Sequence, residues 1–406
     1  MGVKGLMQLI DDSASGSFKL TEQKHYFQRL VAIDASTQLY AFLVQVRSMQ
    51  QGGGPAQYLT NDEGEITSHL QGFFNRAARL LEVGIKPVFV FDGKPPTLKG
   101  GELARRRELK EKAEDELKLA ETKLETAEKG SEDHAQAVED INKAQKRSVK
   151  VTREQNEDVK KLLTLMGLPI VNAPCEAEAQ CAELCKQAKV WATATEDMDA
   201  LAFGTPILLR KLTSNKKDEP IIEIHLELVL ERLGMTQDQF VDLCILCGCD
   251  YCDSIPKIGP KTALKMMQEF GSLEAVLDSL DPTKFQIPEN LVNNLDEIRA
   301  LFKTPDVTKE FSNEFEFNAP QESELIQFLV EEKGFNEDRV KKVIERLNAV
   351  RKKGSQMRLD SFFGAPKSAS NLFKSVSVKA KKGESGNKRA AASPAAAEAK
   401  KRGKRG

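Results

Sequence analysis

Short runs of consecutive apolar residues alternate with helical patterns along the first half of the chain. The runs are rich in Val and Ile, which predicts buried strands. They lie at Leu30–Asp34, Pro87–Asp92, Val190–Thr195, Ile207–Arg210 and Ile221–His225. Between the first two runs, Thr67–Leu81 carries apolar residues at helical spacing and predicts an amphipathic helix. This alternation predicts an α/β fold in which helices flank a mixed, mostly parallel central sheet.

A long charged segment interrupts the alternation. Glu102–Lys129 consists almost entirely of Glu, Lys, Ala, Leu and Arg, with a thin apolar stripe spaced by three and four residues. Gly130 and Ser131 break the pattern, and a second helical pattern continues to Leu165. The stripe is too narrow to bury both helices in a core. We therefore expect an inserted helical hairpin over about residues 102–166 that projects from the body as an arch.

The second half of the chain is mostly helical. Thr236 and Gln239 have the spacing of a capping box before an apolar run. Pro260 and Gly271 stand where a further helix could begin and end. After Gly364 the composition changes to Ala, Ser, Lys and Gly, which predicts disorder.

The net charge conceals two opposite parts. The 406 residues hold 60 basic and 61 acidic side chains, a net charge of −1. Residues 364–406 hold twelve basic and two acidic residues, so this tail carries +10 and the body carries −11. Near-neutrality therefore does not exclude a nucleic-acid partner. No apolar run approaches the ~20 residues of a membrane span, and the N-terminus has no signal-peptide pattern, so we expect no membrane association.

The seven cysteines are expected to be free thiols in a reducing compartment. Four of them cluster and suggest zinc as an alternative: Cys244, Cys247, Cys249 and Cys252. Zinc knuckles need two Cys-x-x-Cys corners separated by a loop, whereas a single residue separates these pairs. A buried helix that ends in buried thiols is the favoured interpretation.

Carboxylates lie where strands end or helices begin. The set consists of Asp34, Asp92, Glu176, Glu178, Asp197, Asp199 and Asp250. In open parallel sheets, active sites lie beyond the carboxyl ends of the strands. A cluster of carboxylates repels itself and needs cations, and oxygen ligands suit Mg²⁺ or Mn²⁺ rather than zinc. A single such carboxylate could equally be a surface charge or a helix cap. The whole set favours a two-metal site of the kind that hydrolyses phosphodiesters.

Several motifs resemble those of a known family, in the same order. They are Met1–Leu6, Val31–Ser36, Phe89–Pro96, Ala173–Ala179, Ala194–Asp199 and Gly248–Tyr251. Over residues 1 to about 363 the chain is similar to the eukaryotic flap endonucleases of the structure-specific 5′ nuclease (XPG/Rad) family. The resemblance implies that the seven carboxylates hold two Mg²⁺ ions, with Mn²⁺ as a substitute. It implies that Lys99 and Arg106, at the base of the arch, contact the scissile phosphate.

The resemblance also implies a DNA-binding surface. Tyr40 would stack on a base next to the cut. Further DNA contacts are implied for Arg47, Arg76, Glu176, Gly248 and Asp250. The arch would admit the single-stranded 5′ flap of a branched DNA.

A helix–hairpin–helix-type element is implied at Ser254–Ala263. There, carbonyl groups of Ser254, Ile255 and Ile258 would bind K⁺ beside a duplex phosphate strand. Lys257 departs from the family, because a glycine is usual at this turn position.

The segment Gln356–Phe363 matches a sliding-clamp-binding pattern. Gln356, Leu359, Phe362 and Phe363 would plug a pocket on a PCNA-type clamp, so that a monomer docks on a trimeric ring. A last packing helix is the alternative. The basic pair Lys388–Arg389 and the cluster at 400–405 suggest nuclear import or DNA attraction, so we expect a nuclear protein, with nucleolar and mitochondrial pools left open.

The predicted organisation is a nuclease domain over 1–355, a clamp-binding motif at 356–363 and a disordered basic tail at 364–406. Within the domain we distinguish an N-terminal region, the arch, an internal nuclease region and C-terminal helices, at about 1–107, 102–166, 125–270 and 272–352. The expected activity is 5′ flap endonuclease with 5′-3′ exonuclease, in Okazaki-fragment maturation and long-patch base-excision repair. The alternatives are a family member acting on gaps or four-way junctions, and a non-catalytic DNA scaffold.

Overall fold

The computed structural model describes residues 2–46, 67–128, 130–214, 219–311 and 314–352. All of these belong to one unit, Met1–Ala365. Arg47, the clamp-binding segment Gln356–Phe363 and the basic tail lie outside the described residues, so the predictions made for them stay predictions.

A seven-stranded sheet forms the centre of the described fold. Its strands are β1 (Phe18–Thr21), β2 (Leu30–Asp34), β3 (Lys86–Phe91), β4 (Ile170–Asn172), β5 (Ala192–Ala194), β6 (Ile207–Arg210) and β7 (Ile221–His225). Their order is β1-β7-β6-β5-β2-β3-β4. The five strands from β6 to β4 are parallel, whereas β7 pairs antiparallel with both β6 and β1. The prediction of a mixed, mostly parallel sheet is confirmed.

The central strands are continuously apolar because both of their faces are buried. On β2, Val31 and Ile33 contribute to one apolar cluster together with Phe73 of the following amphipathic helix. Ala32 points to the opposite face and packs in a second cluster with Cys181. Strands covered on both faces lose the polar alternation of a half-exposed strand, as the sequence pattern shows.

The sheet order reverses direction at β2. The chain passes from β2 through β3 to β4 on one side, and β5 then returns to the other side of β2. In open α/β sheets, such a switch point opens a crevice at the carboxyl ends of the strands on either side of it. The crevice lies beyond Asp34, the last residue of β2, and beyond Ala194, the last residue of β5.

Helices surround the sheet and build the second half of the chain. They are α1 (Leu6–Ser13), α2 (Ala35–Val46), α3 (Ser68–Glu82), α4 (Gly100–Thr126), α5 (Glu132–Arg147), α6 (Arg153–Leu165), α7 (Ala177–Lys186), α8 (Asp199–Ala202), α9 (Leu226–Leu233), α10 (Gln237–Cys247), α11 (Pro260–Phe270), α12 (Leu273–Ser279), α13 (Glu289–Asn293), α14 (Leu295–Lys303), α15 (Glu322–Ile326) and α16 (Glu337–Lys352). Two short 3₁₀ turns, Gln23–Tyr26 and Thr97–Lys99, and a π-helical segment, Gln327–Glu332, complete the set.

The arch differs from a simple two-helix hairpin. The second helical pattern is divided into α5 and α6, and the five residues from Ser148 to Thr152 have no helical structure. Thr152 starts α6 with a reciprocal capping box to Gln155, which satisfies the exposed amides of a new helix start. The helical segments themselves are confirmed, but the continuity predicted through to Leu165 is wrong.

The two long arch helices pack on each other through small residues. Ala113 and Ala120 of α4 are buried, as are Ala137 and Ile141 of α5. None of these four side chains belongs to the large apolar clusters around the sheet. The hairpin α4–α5 therefore has its own narrow interface, as expected of a projecting arm.

The helix boundaries of the second half follow their capping residues. Thr236 and Gln239 form the predicted capping box at the start of α10. Pro260 is the first residue of α11, and Gly271 follows its end with a φ of 81°, a left-handed conformation that glycine adopts at little cost. These boundaries confirm the sequence prediction.

All seven cysteines are free thiols, and Cys175 is the one among them that is not fully buried. Cys244 and Cys247 lie on α10, as predicted. Within the described residues, no helix combines the length and the apolar character required to cross a membrane.

Candidate active site

Asp34 occupies the switch point and is held there by three donors. It is the last residue of β2 and is 1% exposed. Its oxygens accept hydrogen bonds from the Thr37 amide at 2.9 Å, from the Thr37 hydroxyl, and from the Thr195 hydroxyl at 3.0 Å. Thr195 follows β5, so this contact ties the two central parallel strands together at their carboxyl ends.

Asp92 follows β3 and is anchored between two elements. Its amide donates to the Ser36 hydroxyl at 3.1 Å, and its Oδ1 accepts from the Ala177 amide at 2.8 Å. Ala177 is the first residue of α7, where free backbone amides favour a carboxylate. Gly93 allows the approach, because a Cβ there would lie 2.2 Å from the Ala173 carbonyl oxygen.

Glu176 and Glu178 lie at the start of α7 and are 5% and 9% exposed. Glu176 accepts from the Lys99 ammonium through one oxygen and from the Tyr251 hydroxyl through the other. The Lys99 Nζ is 4.0 Å from Glu178 Oε1. Lys99 thus neutralises part of the charge of both glutamates.

Asp197 and Asp199 follow β5, and their carboxylates lie against Gly2 and Val3. The Asp199 amide donates to Asp197 Oδ1 at 3.0 Å, and Asp199 Oδ1 accepts from the Val3 amide at 2.6 Å. Gly2 has a φ of 77°, and a Cβ there would stand 1.9 Å from Asp197 Oδ1 and 2.2 Å from Asp199 Oδ1. Only a residue without a side chain fits between these two carboxylates.

Asp250 joins the same cluster from the turn after α10. Its Oδ2 lies 2.7 Å from Arg106 Nη2 and 3.3 Å from Lys99 Nζ. Lys99 ends the 3₁₀ turn before α4, and Arg106 lies two turns into α4. The two cations at the base of the arch therefore face the carboxylates, and their predicted contact with the scissile phosphate stays a prediction.

The cluster carries more negative charge than its cations balance. Burial, with the neighbouring Asp92 carboxylate, raises the pKa of Asp34 to about 7. Burial raises the pKa of Glu178 well above its usual value, and burial with the Asp197 carboxylate does the same for Asp199. For Lys99, burial alone would lower the pKa, but the Glu178 and Glu176 carboxylates outweigh it and raise the pKa. Unbalanced buried carboxylates of this kind attract a further cation.

The donor set fits a hard divalent cation in its chemistry. Every side chain predicted to be a ligand offers carboxylate oxygen, which Mg²⁺ and Mn²⁺ prefer. In the part of the chain that the structure describes, no three His, Cys, Asp or Glu side chains converge on one ion position. Instead, Glu176 and Asp250 are paired with Lys99 and Arg106.

Two of the residues expected to contact DNA, Tyr40 and Arg76, lie on α2 and α3. Arg76 lies over the Phe42 ring at 4.5 Å, and burial lowers its pKa to about 10. Asp34 and Arg76 line one cleft of about 270 Å³. Tyr40 is half-buried on α2 and packs against the apolar cluster of the sheet. Their predicted roles in DNA binding stay predictions.

The hairpin element has the geometry of a tight turn. The Ile258 amide donates to the Ile255 carbonyl at 3.1 Å, and Lys257 has a φ of 71°. A proline followed by a residue with positive φ is the pattern of a type II turn, here Pro256 and Lys257. Lys257 therefore adopts the glycine conformation that the resemblance implied, and Ser254 lies next to this turn, against Gly248.

Sequence reasoning did not assign several residues that hold the carboxylates. They are Val3, Thr37, Thr195 and Tyr251. Each stands within a few residues of a predicted carboxylate or in a recognised motif, and a hydroxyl next to a strand-end aspartate was an available signal. The partner of each hydroxyl or amide could not be read from local spacing.

Two protein-family models and many known proteins match this chain. The XPG N-terminal domain family matches residues 1–113, and the XPG I-region family matches residues 167–250. "Flap endonuclease 1-A" of Physcomitrium patens is 51% identical over 378 residues, which cover 92% of this chain and 91% of the relative.

Solved structures share the fold. Flap endonuclease-1 from Methanococcus jannaschii superposes with a TM-score of 0.62 at 35% identity, covering 83% of this chain and 97% of that one. The catalytic core of Rad2, solved in complex with DNA substrate, has a TM-score of 0.61 at 24% identity and covers 85% of this chain and 100% of that core. The chain therefore belongs to the flap endonuclease family of XPG-type nucleases.

Proposed function

We propose that this protein is a structure-specific nuclease that hydrolyses a DNA phosphodiester where a 5′ single-stranded flap meets duplex, with 5′-3′ exonuclease activity on DNA ends. The observation that carries the proposal is a group of buried carboxylates that repel one another, of which Glu176, Glu178 and Asp250 face Lys99 at the base of the arch. A DNA scaffold without catalysis would gain nothing from this buried repulsion.

The carboxylates are proposed to hold two Mg²⁺ ions, with Mn²⁺ as a substitute. When bound, such ions activate the attacking water and neutralise charge on the leaving oxygen. Asp34 would supply a ligand from the end of β2 and Asp92 one from just after β3, and the other five lie in the segments that follow β4, β5 and α10. The hydrogen bonds from Thr37 and Thr195 orient Asp34, and the hydrogen bond from Tyr251 orients Glu176.

Lys99 and Arg106 are proposed to contact the scissile phosphate. Their ammonium and guanidinium groups already lie 3.3 Å and 2.7 Å from Asp250 Oδ2. An entering phosphate offers the same charge as this carboxylate, so both cations can exchange one anionic partner for another. Donors placed in this way stabilise the charge that develops on the phosphoryl oxygens.

The arch is proposed to accommodate the single strand. The 27 residues of α4 give a helix about 40 Å long. Its surface is mostly charged, and its base carries Lys99 and Arg106. A strand that passes this base would place its phosphates beside both cations, with Tyr40 available to stack on the adjacent base.

A cleavage assay with matched variants tests the proposal. Labelled 5′-flap, gapped and four-way-junction duplexes are incubated with and without Mg²⁺, and binding is measured separately in Ca²⁺. We expect junction cleavage of the flap only with Mg²⁺, and we expect Asp199→Asn to bind flap DNA but lose at least about 10²-fold in rate. Asp115→Asn, an exposed aspartate on α4, is the control and should cut as the wild type does. Wild-type rates for Asp199→Asn would refute the site assignment, and preferred cutting of another junction would refute the substrate.

We further propose that K⁺ binds at the hairpin element through the carbonyls of Ser254, Ile255 and Ile258. The tight turn Ile255–Ile258 supports this, because its closing hydrogen bond holds the backbone of these residues in one compact segment. Replacing KCl by LiCl at constant ionic strength should weaken binding to duplex DNA but not to single strands. Equal loss on both substrates would contradict the site.

A PCNA-type clamp is proposed as partner, with Gln356, Leu359, Phe362 and Phe363 as the contacts, and the nucleus as the location. The support is the pattern of these residues and the +10 charge of residues 364–406. In this setting the enzyme would act in Okazaki-fragment maturation and long-patch base-excision repair. Removing residues 356–406 should leave cleavage of naked DNA unchanged and abolish stimulation by the clamp. Persisting stimulation would contradict the assignment.

A further inference from the structure

Two cysteines face each other across the turn that follows α10. Cys249 and Cys252 form an isolated antiparallel bridge, and their sulfur atoms are 3.6 Å apart. Cys249 is 9% exposed and Cys252 is 7% exposed. The sulfurs are thus close enough to touch but are not bonded.

The turn geometry is compatible with a disulfide. A four-residue turn brings its outer Cα atoms within about 7 Å, and disulfides span Cα separations of about 4.4–6.8 Å. Bonding would shorten the 3.6 Å sulfur separation to about 2.05 Å, a contraction of about 1.5 Å. Rotation about the two Cα–Cβ bonds and movement of the four-residue turn share this contraction.

The two residues at the centre of the turn belong to the active site. Asp250 contacts Arg106 and Lys99, and Tyr251 donates its hydroxyl hydrogen to Glu176. The Tyr251 ring packs edge-on against Phe302 at a centroid distance of 5.1 Å, so it cannot follow a shift of the turn freely. A contraction between the two sulfurs therefore moves Asp250, a predicted metal ligand. It also moves Tyr251, whose hydroxyl orients Glu176, a second predicted ligand.

We propose that Cys249 and Cys252 are an oxidisable dithiol, a modification site whose disulfide switches off DNA cleavage reversibly. The oxidant is a small peroxide, because the two sulfurs are too buried for a bulky disulfide reagent. One thiol attacks hydrogen peroxide and forms a sulfenic acid with release of water. The second thiol displaces the hydroxyl group, which leaves as a second water when the S–S bond forms. The loss of cleavage rests on the proposed function, whereas disulfide formation does not.

The effect on catalysis follows from the size of the contraction. Active-site groups displaced by about 1 Å can lose about 10²-fold in rate. A thiol reductant reverses the bond by thiol–disulfide exchange, so the activity should return. The reduced turn has no such constraint and keeps Asp250 beside its two cations.

The test uses the full-length protein treated with hydrogen peroxide. Peptide mass spectrometry should show the loss of two hydrogen atoms from the peptide that contains both cysteines, and flap cleavage should fall at least tenfold and return with dithiothreitol. Cys249→Ser and Cys252→Ser should keep their activity at the same dose. Cys175→Ser is the matched control, since this partly exposed thiol also lies beside a site glutamate, and it should lose activity as the wild type does.

The outcomes separate the two proposals. Absence of the disulfide, unchanged cleavage after it forms, or equal sensitivity of Cys249→Ser would overturn the dithiol switch. A reduced protein that does not cut flap DNA would instead refute the proposed function, while the mass measurement would still decide whether the disulfide forms.

Discussion

The buried carboxylate of Asp34 predicts an unusual pH dependence of stability. Its pKa is raised to about 7 in the folded protein, from 3.8 for an unburied aspartate. A carboxyl with a raised pKa binds its proton more tightly in the folded state, so the protonated form stabilises the fold. This contribution is complete below about pH 4 and disappears as the pH rises through 7. Without divalent metal, the protein should therefore become less stable between pH 5 and pH 8.

The size of this loss of stability follows from the raised pKa of Asp34. Each pH unit between the two pKa values changes the free energy of unfolding by about 1.4 kcal/mol for this group. From pH 5 to pH 8, Asp34 alone should remove about 3 kcal/mol of stability. Glu178 and Asp199 are shifted in the same direction and add to the trend.

The assay is urea unfolding in EDTA at several pH values, for the wild type and for Asp34→Asn. The side chain of this variant keeps an oxygen that accepts from the Thr37 backbone amide, but it does not titrate. The stability difference between the two proteins should change by about 3 kcal/mol between pH 5 and pH 8, in favour of the variant at pH 8. A difference that is constant with pH would refute the reasoning about Asp34.

Three further variants test single features of the site. Gly2→Ala should weaken the apparent Mg²⁺ affinity in a cleavage titration, because its Cβ would collide with the two flanking aspartate oxygens; a wild-type titration would contradict this. Tyr251→Phe should lower the free energy of unfolding by about 1.5–3 kcal/mol, because a buried carboxylate loses a donor. Urea unfolding measures this change, and an unchanged midpoint would count against the contact. Lys257→Gly should raise stability by about 1 kcal/mol by relieving a left-handed backbone, and a lower unfolding temperature would argue against strain there.

The central strands of the sheet could be predicted from the sequence. The edge strands could not. Runs such as Leu30–Asp34 are apolar throughout because both faces are covered. The edge strands β1 (Phe18–Thr21) and β4 (Ile170–Asn172) were not predicted. β1 has both central residues exposed and β4 has three residues, so neither has an apolar pattern that distinguishes it from a loop. Their pairing is decided by neighbours that arrive from elsewhere in the chain.

The positions of the carboxylates could be predicted better than the residues that hold them. Asp34 and Asp92 follow apolar runs, and parallel strands bring such ends together. The hydroxyl that Thr195 directs to Asp34 bridges 161 positions in sequence, and no local pattern reveals such a partner. The break between α5 and α6 was missed for another reason, since a capping box inside a charged segment resembles ordinary helix composition.

The hydrogen bonds of the site join residues that lie far apart in the sequence, so the site is complete only when the chain has folded. The bond from the Val3 amide to Asp199 joins residues 196 positions apart, and the bond from Arg106 to Asp250 joins residues 144 apart. Contacts of such long range form late, when most of the chain has already been organised. A chain still emerging from the ribosome, or one partly unfolded by stress, has only fragments of the carboxylate set. The arrangement of the site therefore depends on the folded chain as a whole and not on any one segment of it.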